Sequence, residues 1–114
     1  MPSPLEIIDV AHPPRRPDAV EEEILDALAR VRHSASSRVL KIIHGYGSSG
    51  KGGSTKDLVR NALFRQRSRC RAVIEGERYG LFDPDTLALR AEVGQFPDQD
   101  LDVANPGITV VWVK

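Results

Sequence analysis

The chain has 114 residues, 40% of them hydrophobic, with 16 lysines and arginines against 16 aspartates and glutamates. That length fits one domain, spanning 1–114, with a core of its own, and no apolar run approaches the ~20 residues a bilayer-crossing helix needs. One cysteine excludes an internal disulfide, and His12, His33 and His44 lack metal-ligand spacing, so neither a metal nor another cofactor is expected.

The chain begins Met1-Pro-Ser-Pro-Leu5, without the basic start and apolar centre of a secretion signal, and a cytoplasmic setting with no membrane partner is expected. Leu5-Glu-Ile-Ile-Asp-Val10 is short, apolar and partly β-branched, which predicts a strand. Pro13, Pro14 and Pro17 break regular structure, so residues 1–17 read as a first strand and a proline-rich connector. Asp18 and Glu21 have capping-box spacing, and Val20, Ile24, Leu28 and Val31 share one stripe of a helix expected to end near His33. Val39-Leu-Lys-Ile-Ile43 reads as a buried strand that runs straight into a glycine-rich stretch. Ser54 then caps a second helix with Leu58, Val59, Ala62 and Leu63 on its apolar face, and with Lys56, Arg60 and Arg65 expected in solvent. Cys70 to Ile74 and Ile108 to Val113 predict two further strands. Between them, residues 75–107 read as an insertion. Asp83-Pro84-Asp85 opens a short helix through Leu87, Leu89 and Val93, and Gly94, Pro97 and the acids and amides beyond predict an exposed loop. This order predicts an α/β two-layer sandwich of the βαβαβ type, with about four strands in a mixed sheet and two main helices.

The zero net charge conceals segregation along the chain. Residues 41–72 hold eight basic residues and one acid, Asp57, whereas residues 73–104 hold eight acids and two arginines. Such a distribution makes a local anion-binding face on a neutral protein, or else a solvated helix face balanced by acids elsewhere in the fold. The stretch from Gly45 to Gly53 also suits an anion. Its glycines leave backbone amides unshielded, and it leads into a helix N-terminus where N–H groups lack partners. Gly45 through Lys51 matches the opening of a nucleotide-hydrolysing phosphate loop, but Gly52 stands where a magnesium-holding serine or threonine belongs. His44, at the strand end, is either a proton-transfer group or a ring that braces the loop by hydrogen bonds.

Leu40-Lys-Ile-Ile-His-Gly-Tyr-Gly-Ser-Ser-Gly-Lys-Gly-Gly53, followed by Leu58-Val-Arg-Asn-Ala-Leu63, resembles the central motif of small MutS-related (Smr) domains. Asn105-Pro-Gly-Ile-Thr-Val-Val-Trp-Val113 is similar to the closing strand of that family. The resemblance implies a fold like the C-terminal domain of a translation initiation factor and binding of DNA or RNA. In several members it also implies endonuclease activity, nicking DNA or cutting RNA. By position, the implied nucleic-acid-binding residues are Gly45, Tyr46, Gly47, Lys51, Lys56 and Arg60, and the implied catalytic pair is His44 with Asp9. The first strand departs from the family's Leu-Asp-x-His-Gly pattern. Either Glu6 replaces the acid and Ile8 the histidine, or Asp9 is kept and His12 comes late, before Pro13 instead of glycine. Three functions therefore stand open: a nucleic-acid-binding domain, which is the expected one, an Smr-type endonuclease, and a protein-interaction module on the same scaffold.

Overall fold

Two parallel strands cannot be joined by a tight turn and need a crossover of a dozen or more residues, usually a helix. The computed structural model, which describes residues 3–45 and 55–114, supplies one between its first two strands. These are β1 (Leu5–Asp9) and β2 (Val39–Ile43), with α1 (Pro17–Arg32) between them. Leu5 lies opposite Val39 and Asp9 opposite Ile43 in parallel register. The helix starts one residue before the expected Asp18 cap. Proline needs no N–H partner at a first helical position, so Pro17 opens the helix after Arg16, and Asp18 sits inside the first turn. Val20, Ile24, Ala27, Leu28 and Val31 form the buried stripe, each larger side chain contributing roughly 1.5–3 kcal/mol of burial.

The chain continues through α2 (Thr55–Arg65), β3 (Cys70–Glu75), α3 (Pro84–Val93) and β4 (Ile108–Val113). The strands form one sheet in the order β1-β2-β4-β3, with β4 antiparallel to both of its neighbours. This is the mixed four-stranded α/β sheet expected from the order of elements. α1 and α2 cover one face, where Ile24, Leu28, Val59 and Leu63 meet Ile8, Leu40, Ile42 and Val111. No helix among the described residues is long and apolar enough to cross a membrane.

The opposite face is not open. Tyr79, Leu89 and Phe96, from the segment between β3 and β4, pack on Val39, Ile74, Ile108 and Val110. The central strands are thus buried on both sides, which accounts for their being apolar apart from Lys41 in β2 and Thr109 in β4. Asp83 caps α3 by accepting from the Thr86 N–H at 2.9 Å, as the Asp-Pro start predicts. Beyond Gly94 the chain is the expected loop, with Gln95, Pro97, Gln99 and Asp102 exposed, but its exposure is only partial: Phe96 is 6% exposed and the Asp98 side chain 1%. Its acids are partners for the interior. Lys41, in the middle of β2, donates from Nζ to Asp98 Oδ1 at 2.7 Å and to Asp100 Oδ2 at 2.6 Å. Tyr79 OH donates to the other Asp98 oxygen, and Asn105 to the other Asp100 oxygen.

Burial works against the Lys41 charge, but the hydrogen bonds it donates to Asp100 and Asp98 outweigh that effect and its pKa is raised. Removing one member of a buried ion pair strands the other and costs roughly 3–5 kcal/mol, whereas an exposed pair contributes roughly 0–1 kcal/mol. Lys41→Ala should therefore lower the urea midpoint far more than Arg65→Ala, which breaks the exposed Arg65–Glu21 pair between α2 and α1. Equal, small losses in the two variants would show that Lys41 does not fasten the second layer.

Candidate nucleic-acid interface

β2 ends at Ile43, and the next two residues turn across the end of the sheet. The His44 and Gly45 N–H groups both donate to Gly107 O, at 2.9 and 3.0 Å. Gly45 has φ 69°, in the left-handed region that side chains disfavour, although a Cβ there would meet nothing within 4 Å. Its need for glycine is therefore conformational and not a matter of space.

The His44 ring is 2% exposed. Its Nδ1 lies 2.6 Å from Gly45 O, and its Nε2 lies 2.9 Å from Thr109 Oγ1. A carbonyl can only accept, so Nδ1 carries the proton and Nε2 of the neutral ring accepts from the Thr109 hydroxyl. Thr109 Oγ1 in turn accepts from Arg60 Nε at 3.1 Å. Burial, joined by the positive charges of Arg60 and Lys56, holds the His44 pKa below its ordinary 6.5, against the pull of the Gly45 carbonyl. The ring is neutral at pH 7 and braces the strand end with both nitrogens engaged.

Arg60 and Lys56 are not in solvent, contrary to expectation. Their side chains are 15% and 22% exposed, because both reach for carboxylates beyond β3. Arg60 donates from Nη2 to Glu77 Oε1 at 2.6 Å and from Nη1 to Glu77 Oε2 at 3.1 Å, while Lys56 Nζ donates to Glu77 Oε2 at 3.0 Å. Glu75 lies 3.2 Å from Arg60 Nη1. The hydrogen bonds from Arg60, with those from Lys56, lower the Glu77 pKa to about 2, overcoming partial burial. Gly76 makes this clamp reachable. A Cβ on it would sit 2.0 Å from Asn105 O and 2.6 Å from Ile108 Cγ1, so a side chain there would push the Gly76–Arg78 turn off β4.

Among the described residues, the charge segregation of the sequence is therefore re-paired in space at half of the eight basic positions. Lys41, Lys56, Arg60 and Arg65 are basic residues of the middle third, and each meets an acid from another part of the chain.

Asp9 lies opposite Ile43, one position before His44, but shares no hydrogen bond with that histidine. Its Oδ1 accepts from the Ala11 and His12 N–H groups at 2.9 and 3.0 Å, and its other oxygen pairs with His12 Nδ1 at 3.0 Å. Those bonds lower its pKa despite the opposing effect of burial, and the carboxylate closes the turn after β1. The alternative positions are also occupied: Glu6 pairs with Arg30 of α1, and Ile8 belongs to the core. Tyr46, Gly47, Lys51 and the Ser54 cap lie outside the described residues. Thr109, Glu75 and Glu77 complete the site without having been singled out from the sequence. Thr109 carried a faint signal, as the polar residue in an otherwise apolar strand. Glu77 carried none.

No protein-family model, curated protein or solved structure matches the chain. The resemblance to Smr domains rests on the residues alone.

The site should register in the acid stability of the protein. His44 has a depressed pKa in the fold, so the unfolded chain binds more protons as pH falls through 6.5, and the stability contributed by the neutral ring is lost below that value. Glu77 contributes above its ordinary 4.5, and its contribution fades as pH falls from 4.5 towards 2. Urea midpoints measured from pH 7 to pH 2 should fall in two stages. His44→Gln should remove the first and Glu77→Gln should soften the second; unchanged profiles in both variants would contradict this account of the site.

Proposed function

We propose that the chain is a nucleic-acid-binding domain of the Smr type, cytoplasmic, that grips phosphates of DNA or RNA between the end of β2 and the basic side of α2. The observation that carries this reading is the clamp on Glu77. Two cations from α2 converge on one oxyanion through three charge-assisted hydrogen bonds, an arrangement that suits a phosphate equally well. The left-handed turn at Gly45 and the N-terminal end of α2 flank the glycine-rich stretch in sequence, and a helix dipole favours an anion at that end.

In this reading Glu77 occupies the cations until a phosphate displaces it. Exchange of one oxyanion for another contributes little by itself, so affinity comes from several contacts together and from the counterions they release. Cleavage is a lesser part of the proposal. His44 has both ring nitrogens engaged inside the fold, and Asp9 is tied to its own turn. A general base needs a free nitrogen or carboxylate within reach of the nucleophile, so binding with little or no cutting is expected.

Anisotropy titrations of labelled duplex DNA and hairpin RNA across a salt series test the proposal. Glu77→Gln should bind several-fold more tightly than the parent, because the competing carboxylate is gone. Lys51→Ala combined with Lys56→Ala should bind more weakly and flatten the dependence of log affinity on log salt by ~0.7–0.9 per lost contact. A parent protein with no salt-dependent binding would transfer the domain to the protein-interaction class. Rapid cleavage in a time course with magnesium, abolished by both His44→Ala and Asp9→Ala, would make it the endonuclease.

A further inference from the structure

Arg60 serves the clamp with its tip and lines a second feature with its flank. β3 is an edge strand of the sheet, and beside it runs a groove of about 380 Å³. That volume lies within the range of small-ligand sites. Arg60, Arg67, Arg71 and Arg78 line it against one acid, Glu75. Phe64, at the end of α2, stands 64% exposed in the same wall.

The details favour a planar anionic occupant. Arg67 holds its guanidinium over the Phe64 ring, 4.1 Å from the centroid, and is fixed there by a 2.7 Å hydrogen bond from Nη1 to Phe64 O. Arg71 lies over Trp112, with its guanidinium carbon 5.5 Å from the ring centroid. Among the described residues neither Arg67 nor Arg71 forms an ion pair with a carboxylate, unlike Arg60 and Arg78. Stacked ring and guanidinium make a π platform, and an arginine without an acid offers a phosphate a partner at no loss of an existing pair. A peptide adding itself as a strand to β3 is disfavoured, since Arg78 Nη2 already donates to the edge carbonyl of Val73 at 2.7 Å.

We propose that this groove seats one unpaired nucleotide, its base stacked on the Phe64–Arg67 pair and its phosphate against Arg71. The inference rests on the nucleic-acid reading of the adjoining clamp and extends it, because it makes single-stranded or looped segments the preferred substrate. Bases inside a duplex have no free face to stack, whereas every unpaired base has one, so the preference is for strandedness and not for sequence.

The test uses the whole chain with a single-stranded oligonucleotide and the same sequence as a blunt duplex. Phe64→Leu should weaken single-strand binding roughly tenfold and leave duplex binding and the thermal midpoint unchanged, since the ring is exposed. Phe64→Tyr should bind like the parent. Arg71→Gln should lower the single-strand salt slope by about 0.7. If the parent binds nucleic acid but Phe64→Leu matches it on the single strand, or loses equally on both forms, the clamp reading survives and the groove proposal falls. If the parent binds neither form, both fall together. Capture of an acidic peptide by the parent, lost in Arg71→Gln without any nucleic-acid binding, would likewise overturn the proposal in favour of a protein partner.

Discussion

An ammonium group in the middle of a central strand has to be neutralised where it stands, because a desolvated charge without partners costs several kcal/mol. Lys41 is that group, and its partners come from residues 98 and 100, nearly 60 positions later. Bringing those carboxylates to β2 lays Tyr79, Leu89 and Phe96 over the second face of the sheet. It also holds Asn105, which bonds to Asp100 and accepts from the Gly107 N–H. Gly107 O then receives the His44 and Gly45 amides. The turn at the end of β2 is thus aligned by a chain of contacts that starts at one buried lysine.

From that turn the polar network passes along a short line. Gly45 O holds the His44 ring, the ring holds Thr109, and Thr109 receives Arg60, which Glu77 anchors on its far side. Every side chain in this line has its hydrogen-bonding groups occupied, and no buried side-chain polar atom among the described residues lacks a partner. A satisfied network in a low-dielectric setting is stiff. The cations of the clamp are thus held in place by Glu77, and under the proposed function that would preorganise them for an oxyanion that replaces its carboxylate.

The legible parts of the fold were those whose signal is local. The 3.6-residue stripe of α1, the apolar runs of β2 and β4 and the Asp83-Pro84 start of α3 each depend on neighbours in sequence, and each was readable from them. The start of α1 was misplaced because Asp18 and Glu21 have the spacing of a capping box, whereas Pro17 already takes the first helical position. The second layer was misread because acids and prolines ordinarily mark exposed loops, and nothing near Asp98 announces a lysine in β2. Within the candidate site, the strand-loop-helix pattern drew attention to His44 and the glycine stretch, whereas Lys56 and Arg60 were expected in solvent and instead pair with Glu77. Their partners were not recognisable, since the pairing of Glu77 with α2 is set by the close approach of Gly76 to β4, a relation visible only in three dimensions.

The bond from Arg78 to Val73 O bears on how copies of this chain meet one another. An outer strand presents unsatisfied carbonyls and amides that can recruit another strand and begin uncontrolled assembly. Here a carbonyl at the centre of that outer row is already taken by a charged side chain, and Arg71 stands exposed along the same strand. Two copies approaching along β3 would have to strip off a guanidinium and crowd like charges into one seam. The margin of the sheet is thereby guarded against zipping, which lets it remain open to solvent without inviting aggregation.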